Sequence, residues 1–173
     1  AFRSDLPQHP MCRQWLVEVV LGDARFGISP VVLSAVVRIT TNPPVFRTPS
    51  KVAEAFAFCD SLLGQPHCQP IEPGERHWGI FQRLCIETET HGARASDAWF
   101  AALAIELGCE WITLDRDYAR FPGVKWEFRK RRLGKDSRGP LARSMRCGMS
   151  CCPLARFGHA RSSRAGMPNP TSP

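Results

Sequence analysis

The sequence predicts an α/β layer fold with a mainly parallel sheet. Two observations predict it. Short apolar stretches rich in β-formers alternate with longer segments of helical periodicity, and Gly or Pro signals separate them. This alternation is confined to residues 1–128, while residues 129–173 show no sustained period of 3.6 or 2. The chain has 173 residues, enough for one domain with a core of its own.

The first helix is predicted over 10–21, where Trp15, Leu16, Val19 and Val20 fall at helical spacing and Gly22 follows as a stop. Residues 26–28 form a short strand candidate. Ser29-Pro30 then opens a helix to about Thr40, with proline in the favoured first turn, and Asn42-Pro43-Pro44 ends it. A third helix over 50–63 has Ser50 as cap, Gly64 as close, and Val52, Phe56 and Leu63 as its buried face. Residues 68–71 read as a strand. Residues 74–87 read as an amphipathic helix with Trp78, Phe81, Leu84 and Cys85 along one side. Ser96 caps a helix over 97–107 that ends at Gly108. A strand over 110–114 follows, with Asp115 at its carboxyl end. Asp115-Arg116-Asp117-Tyr118 begins a short turn, and 124–126 is the last strand.

Charge divides the chain at the same place. Residues 1–128 carry 12 Lys+Arg against 15 Asp+Glu, and residues 129–173 carry 11 against one. The sequence therefore predicts a mildly acidic domain over 1–128 and a basic, disordered tail over 129–173. The run Arg129-Lys130-Arg131-Arg132 offers nonspecific phosphate contacts, or no selected role at all. Cys147, Cys151, Cys152 and His159 match no strong zinc spacing. Cys12, Cys59, Cys68, Cys85 and Cys109 are scattered singly through apolar segments and read as reduced core thiols. The longest uncharged apolar stretch, residues 28–37, is too short to span a bilayer, and no export signal is visible. A cytoplasmic protein without a membrane partner is expected.

Three carboxylates carry the chemistry. Open parallel sheets bind ligands beyond the carboxyl ends of their strands. Asp115 ends a predicted strand, Asp117 lies in the loop after it, and Asp97 sits at a helix N-terminus, where the dipole favours its anion. One helix and one turn connect Asp97 to Asp115, so a short αβ unit can bring them together. Taken singly, each has a bland reading: a first-turn Asp serves the helix dipole, and Asp-Arg-Asp is a solvated turn. Gathered in one cleft, they repel unless a cation lies between them. Oxygen donors without His or Cys suit Mg²⁺ or Mn²⁺, not zinc. Such an ion orients water and polarises a phosphodiester. Thr113 and Arg116 are lesser candidates, each with a structural alternative. His67, His77 and His91 lack ligand spacing and read as surface or capping residues.

The stretch SDAWFAALAIELGCEWITLDRDYARFPGVKW (96–126) resembles the C-terminal half of PIN-domain proteins, specifically VapC-type toxins. Residues 31–46 (VVLSAVVRITTNPPVF) resemble the middle of that family, and the opening AFRSDLPQHPMCRQWL resembles its members just after their first strand. The resemblance covers about residues 1–127. It implies a three-layer α/β/α fold with the first strand missing, and a homodimeric Mg²⁺-dependent endoribonuclease held inactive by a cognate VapB-like antitoxin. Asp97 matches the family's helix-start acid, Asp115 its strand-end acid and Asp117 the accessory acid. The family's first acid falls before Ala1. Its second falls at Ala35, three residues before the helix arginine Arg38.

Overall fold

The computed structural model describes residues 1–128 and 154–156. Nothing in residues 1–8 is a strand, and the first regular element is α1 (His9–Leu21). The order continues with β1 (Phe26–Ile28), α2 (Pro30–Thr40), α3 (Val52–Leu63), β2 (Cys68–Pro70), α4 (His77–Glu87), α5 (Ala95–Leu107), β3 (Glu110–Thr113), β4 (Lys125–Phe128) and β5 (Leu154–Arg156). Two 3₁₀ turns, Gly92–Arg94 and Arg116–Arg120, flank α5 and β3.

The sheet runs β2-β1-β5-β3-β4. β1 pairs with β2 in parallel, and β3 pairs with β4 in parallel. β5 lies antiparallel between the two pairs, so β1 and β3 run the same way. Four of the five strands are thus parallel, as the alternation of short strands and helices requires. β5 departs from expectation. Its three residues fall in the segment predicted to be disordered, yet they sit at the centre of the sheet. Ala155 is fully buried, which offsets the weak β-propensity of so short a piece. The basic run 129–132 and Cys147, Cys151, Cys152 and His159 lie outside the described residues.

Register shows the layering. Phe26 and Ile28 share one face of β1 and pack with Leu62, Trp15, Leu16 and Val19 from α3 and α1. Gly27 points the other way, in the row Gly27–Ala155–Trp111. Trp111 and Ala155 belong to the cluster built by α4 and α5, through Leu84, Ala98, Ala101 and Ala102. Helices therefore cover both faces, giving the expected α/β/α sandwich. The small residues of α5 permit its close approach, and Ala98, Ala101, Ala102 and Leu103 are completely buried. Glu106 fastens α4 to α5. Its carboxylate accepts from Gly74 N (2.8 Å) and Arg76 N (2.9 Å), donors ahead of α4. A Cβ on Gly74 would lie 2.8 Å from that carboxylate, which would have to shift to admit it.

Several boundaries and caps differ from the sequence reading. α3 starts at Val52 with Lys51 as its cap, not Ser50, which instead accepts from Arg3 (2.9 Å). The buried stripe of α3 is Ala55, Cys59 and Leu62, and the expected Val52, Phe56 and Leu63 are exposed. α3 is apolar on more than one side, and the small Ala55 and Cys59 allow the closer packing. α4 begins at His77, not residue 74, and Trp78 faces solvent. α5 is preceded by Arg94 as cap. Ser96 lies inside the helix, with its hydroxyl donating to Ala93 O. The five described cysteines are free thiols, though only Cys59 and Cys109 are buried.

Candidate functional site

The αβ unit formed by α5 and β3 builds the site. α5 leaves through Gly108, whose φ of 63° gives the left-handed close that lets the chain reverse into β3. α5 therefore runs against β3, and its first turn lies near the carboxyl end of that strand. Asp97 stands in this first turn. Beyond β3, the Thr113 hydroxyl accepts from Asp115 N (3.0 Å), and Asp115 Oδ1 accepts from Asp117 N (2.8 Å). Those two bonds turn the chain and point the Asp115–Asp117 loop back toward α5. Thr113 thus acts on the backbone of the loop, a role the sequence did not single out.

Asp97 lies near enough to Asp115 and Asp117 to feel both charges, although the three do not close around a single point. Burial, and then the charges of Asp115 and Asp117, push the Asp97 carboxyl up to about 6. Arg120 and Arg94 pull it the other way. Asp97 and Asp115 are half-buried, and Asp117 is exposed. Tyr118 lies behind them, fully buried, between Trp111 and Phe121 (ring centroids 6.3 and 5.9 Å away). Burial first, then Asp97, holds its phenol well above the ordinary range. Neither the Tyr118 hydroxyl nor Trp111 Nε1 has a hydrogen-bond partner among the described residues.

Sequence reasoning missed Arg94 and Arg120. Arg94 precedes Asp97 by three residues, and Arg120 closes the 3₁₀ turn that holds Asp117. One turn of helix before an acid was the available signal for Arg94. His77 was misread: it is buried, its Nε2 lies 3.0 Å from Trp99 O, and its ring meets that of Trp99 edge-on. It is a core residue of the α4–α5 contact. His67 is half-buried, and His91 is exposed with Nδ1 2.9 Å from Glu89 O. Ala35 and Arg38 lie on α2, half-buried and exposed.

The donor set can be tested against a metal. Among the described residues, no three His, Cys, Asp or Glu side chains gather closely enough to hold one ion. That argues against a closed, zinc-like cage. Mg²⁺ asks for no such cage, since it keeps several waters and takes one or two carboxylates. The all-oxygen chemistry of Asp97, Asp115 and Asp117 and their mutual repulsion suit it. Among the described residues, no helix is long and apolar enough to cross a membrane.

Comparison with known proteins agrees with this geometry. The PIN domain family matches residues 1–124. Ribonuclease VapC25 of Mycobacterium tuberculosis is 38% identical over 125 residues, covering 72% of this chain and 88% of that protein. Ribonuclease VapC43 of the same organism is 35% identical over 126 residues, covering 73% and 86%. Among solved structures, the crystal structure of VapBC2 from Rickettsia felis bound to a DNA fragment from their promoter matches 70% of this chain and 88% of the other. The TM-score is 0.54 and the identity 18%, a likeness of fold. With the αβ unit, the mainly parallel sheet and these relatives in agreement, the chain belongs to the PIN-domain family and to its VapC-type members.

Proposed function

We propose that the chain is the toxin of a toxin–antitoxin pair, an endoribonuclease that hydrolyses RNA phosphodiesters with Mg²⁺, or Mn²⁺ in its place. The observation that carries the reading is the placement of Asp97 near Asp115 and Asp117 beyond the carboxyl end of β3, where burial and then the charges of those two carboxylates raise the Asp97 carboxyl. The relatives named as ribonucleases give the substrate class.

Asp97 and Asp115 would hold the ion directly. Asp117 would hold a water of its shell, or orient the attacking water. When bound, the ion supplies the positive charge that lets these carboxylates and a phosphate share one site. The chain's own residues do the rest. Thr113 and the Asp115–Asp117 bond fix the loop. Arg94 and Arg120 place positive charge at the rim, where a phosphate backbone would lie.

The partner is a VapB-like antitoxin, a reading supported by the fold neighbour VapBC2. A homodimer through α1–α3 is supported by exposed apolar side chains there, including Leu21, Val52 and Phe56. The protein would act in the cytoplasm. RNA cleavage by the purified chain should require Mg²⁺ and vanish in Asp97→Asn. Cleavage that persists in that variant, or in EDTA, overturns the assignment.

A second reading rests on a specific observation. The three carboxylates do not close around one ion, and Ala35 stands where the family has an acid. A catalytically impaired chain that binds antitoxin or RNA without cleaving would show RNA binding and no turnover at any Mg²⁺ concentration.

A further inference from the structure

Between α4 and α5 the chain makes a turn that the carboxylates do not require. Its first residues are fastened to α4. The Thr88 hydroxyl donates to Leu84 O (2.8 Å), Thr90 N donates to Cys85 O (2.9 Å), and the two threonine hydroxyls are bonded to each other (2.6 Å). Between these threonines Glu89 takes a φ of 48°, the one left-handed backbone conformation adopted by a residue other than glycine among the described residues. A side chain in that region costs free energy. What the conformation achieves lies two residues on. Glu89 O is 2.9 Å from Nδ1 of the exposed His91.

That bond selects a tautomer. A carbonyl oxygen only accepts, so Nδ1 carries the proton and donates. In the neutral ring Nε2 is then an acceptor and nothing else. No described residue bonds to Nε2. His91 also begins a row that ends in the site. It caps the 3₁₀ turn Gly92–Arg94, which runs directly into α5. Residues three apart are eclipsed in a 3₁₀ turn and neighbours on an α-helix. His91, Arg94 and Asp97 therefore follow one another along one side of this stretch, with His91 roughly 9–12 Å from Asp97 along the axis.

Acceptor chemistry selects the part of the ligand. A phosphodiester offers only acceptors, which Nε2 repels and Arg94 attracts. Base edges change from nucleotide to nucleotide. The ribose 2′-hydroxyl is a donor on every nucleotide of RNA and is absent from DNA. We propose that His91 Nε2 accepts from the 2′-hydroxyl of a nucleotide beside the carboxylate site, and so determines the preference of that site for ribose over deoxyribose. Glu89 is its positioning residue, and the strained backbone there keeps the acceptor in place. The inference rests on the ribonuclease reading and adds to it the residue that recognises the sugar.

The probes are fluorescein-labelled, random-sequence RNA and the same pool with 2′-fluoro sugars, which cannot donate a hydrogen bond. Anisotropy is read in EDTA, above neutral pH, on the full chain carrying Asp97→Asn, which removes cleavage and a charge that repels phosphate. This chain should bind RNA about three- to tenfold more tightly than 2′-fluoro RNA, the size expected of one hydrogen bond. Adding His91→Ala should make the two affinities equal. Adding His91→Gln, whose amide oxygen can take the place of Nε2, should retain the preference. Equal binding of both pools by the chain with His91, a preference that survives His91→Ala, or no binding of either pool, overturns the proposal. The comparison on the chain with His91 decides even if a His91 variant misfolds. Cleavage of the RNA pool in Mg²⁺ by the chain with Asp97 is measured alongside. Preference without cleavage sinks the ribonuclease reading and leaves the sugar contact, and cleavage without preference does the reverse.

Discussion

Replacing Asp97 with Asn should stabilise the metal-free chain at neutral pH. In the folded chain the carboxyl titrates near 6 instead of 3.8, because it is buried and faces Asp115 and Asp117. The folded value is raised, so the contribution of this group to stability is fully present below pH 3.8 and is lost as pH rises through about 6. At pH 7.5 the difference corresponds to at most about 3 kcal/mol of destabilisation. Asp97 is only half-buried, and screening by solvent reduces this to about 1–2 kcal/mol. Asn keeps the shape and drops the charge. At about 2–4 °C per kcal/mol, the variant should melt roughly 2–8 °C higher. The assay is thermal unfolding followed by circular dichroism in EDTA, from pH 4 to pH 8. The gain should shrink toward zero as the pH falls to 4. A variant no more stable than its parent at pH 7.5, or a gain independent of pH, would refute the reasoning. In the proposed enzyme the same substitution abolishes cleavage, so stability and activity should move in opposite directions.

Arg120→Gln removes a charge that lowers the Asp97 pKa, so an NMR titration in EDTA should find that carboxyl titrating above its parent value; an unchanged or lower value contradicts the arrangement. Tyr118→Phe deletes a buried hydroxyl without a partner among the described residues while keeping the ring, and chemical denaturation should show unchanged stability or a gain of up to about 1 kcal/mol. A clear loss would mean that the hydroxyl is bonded. Glu106→Ala frees Gly74 N and Arg76 N ahead of α4, and should lower stability by about 1 kcal/mol in the same assay. Gly108→Ala forces a side chain into left-handed backbone at the turn from α5 to β3, and should destabilise by about 1 kcal/mol although no atom lies in the way.

What could be read from sequence was what is local. The α5–β3 unit is one helix, one turn and one strand, so its spacing allowed Asp97 to lie near Asp115 and Asp117. Its helix and strand were placed to within two residues, and its closing glycine was identified. What failed depended on contacts distant in sequence. His77 is a core residue because Trp99, 22 positions on, offers a carbonyl and a ring. The backbone just ahead of α4 is held by Glu106, thirty positions from Arg76, which no local pattern can reveal. α3 was assigned the wrong face because an apolar helix supports more than one stripe, and the buried one carries the small Ala55 and Cys59, the latter against Leu33 O of α2. β5 was invisible: three residues carry no measurable period, and they pair with strands made far earlier in the chain.

That separation has a consequence for synthesis. Ala155 lies 128 positions after its partner Gly27, so the centre of the sheet joins the first described strand to the last described one. At about 5–20 residues per second, a ribosome needs roughly 6–25 s to pass from one to the other. Throughout that interval the edges of β1, and later β3, emerge without their shared neighbour. Contacts this distant slow folding, and open edges pair with whatever strand is near. The nascent chain therefore has a window in which intermolecular pairing competes with completion of the sheet, and the window closes only when the C-terminal segment leaves the exit tunnel.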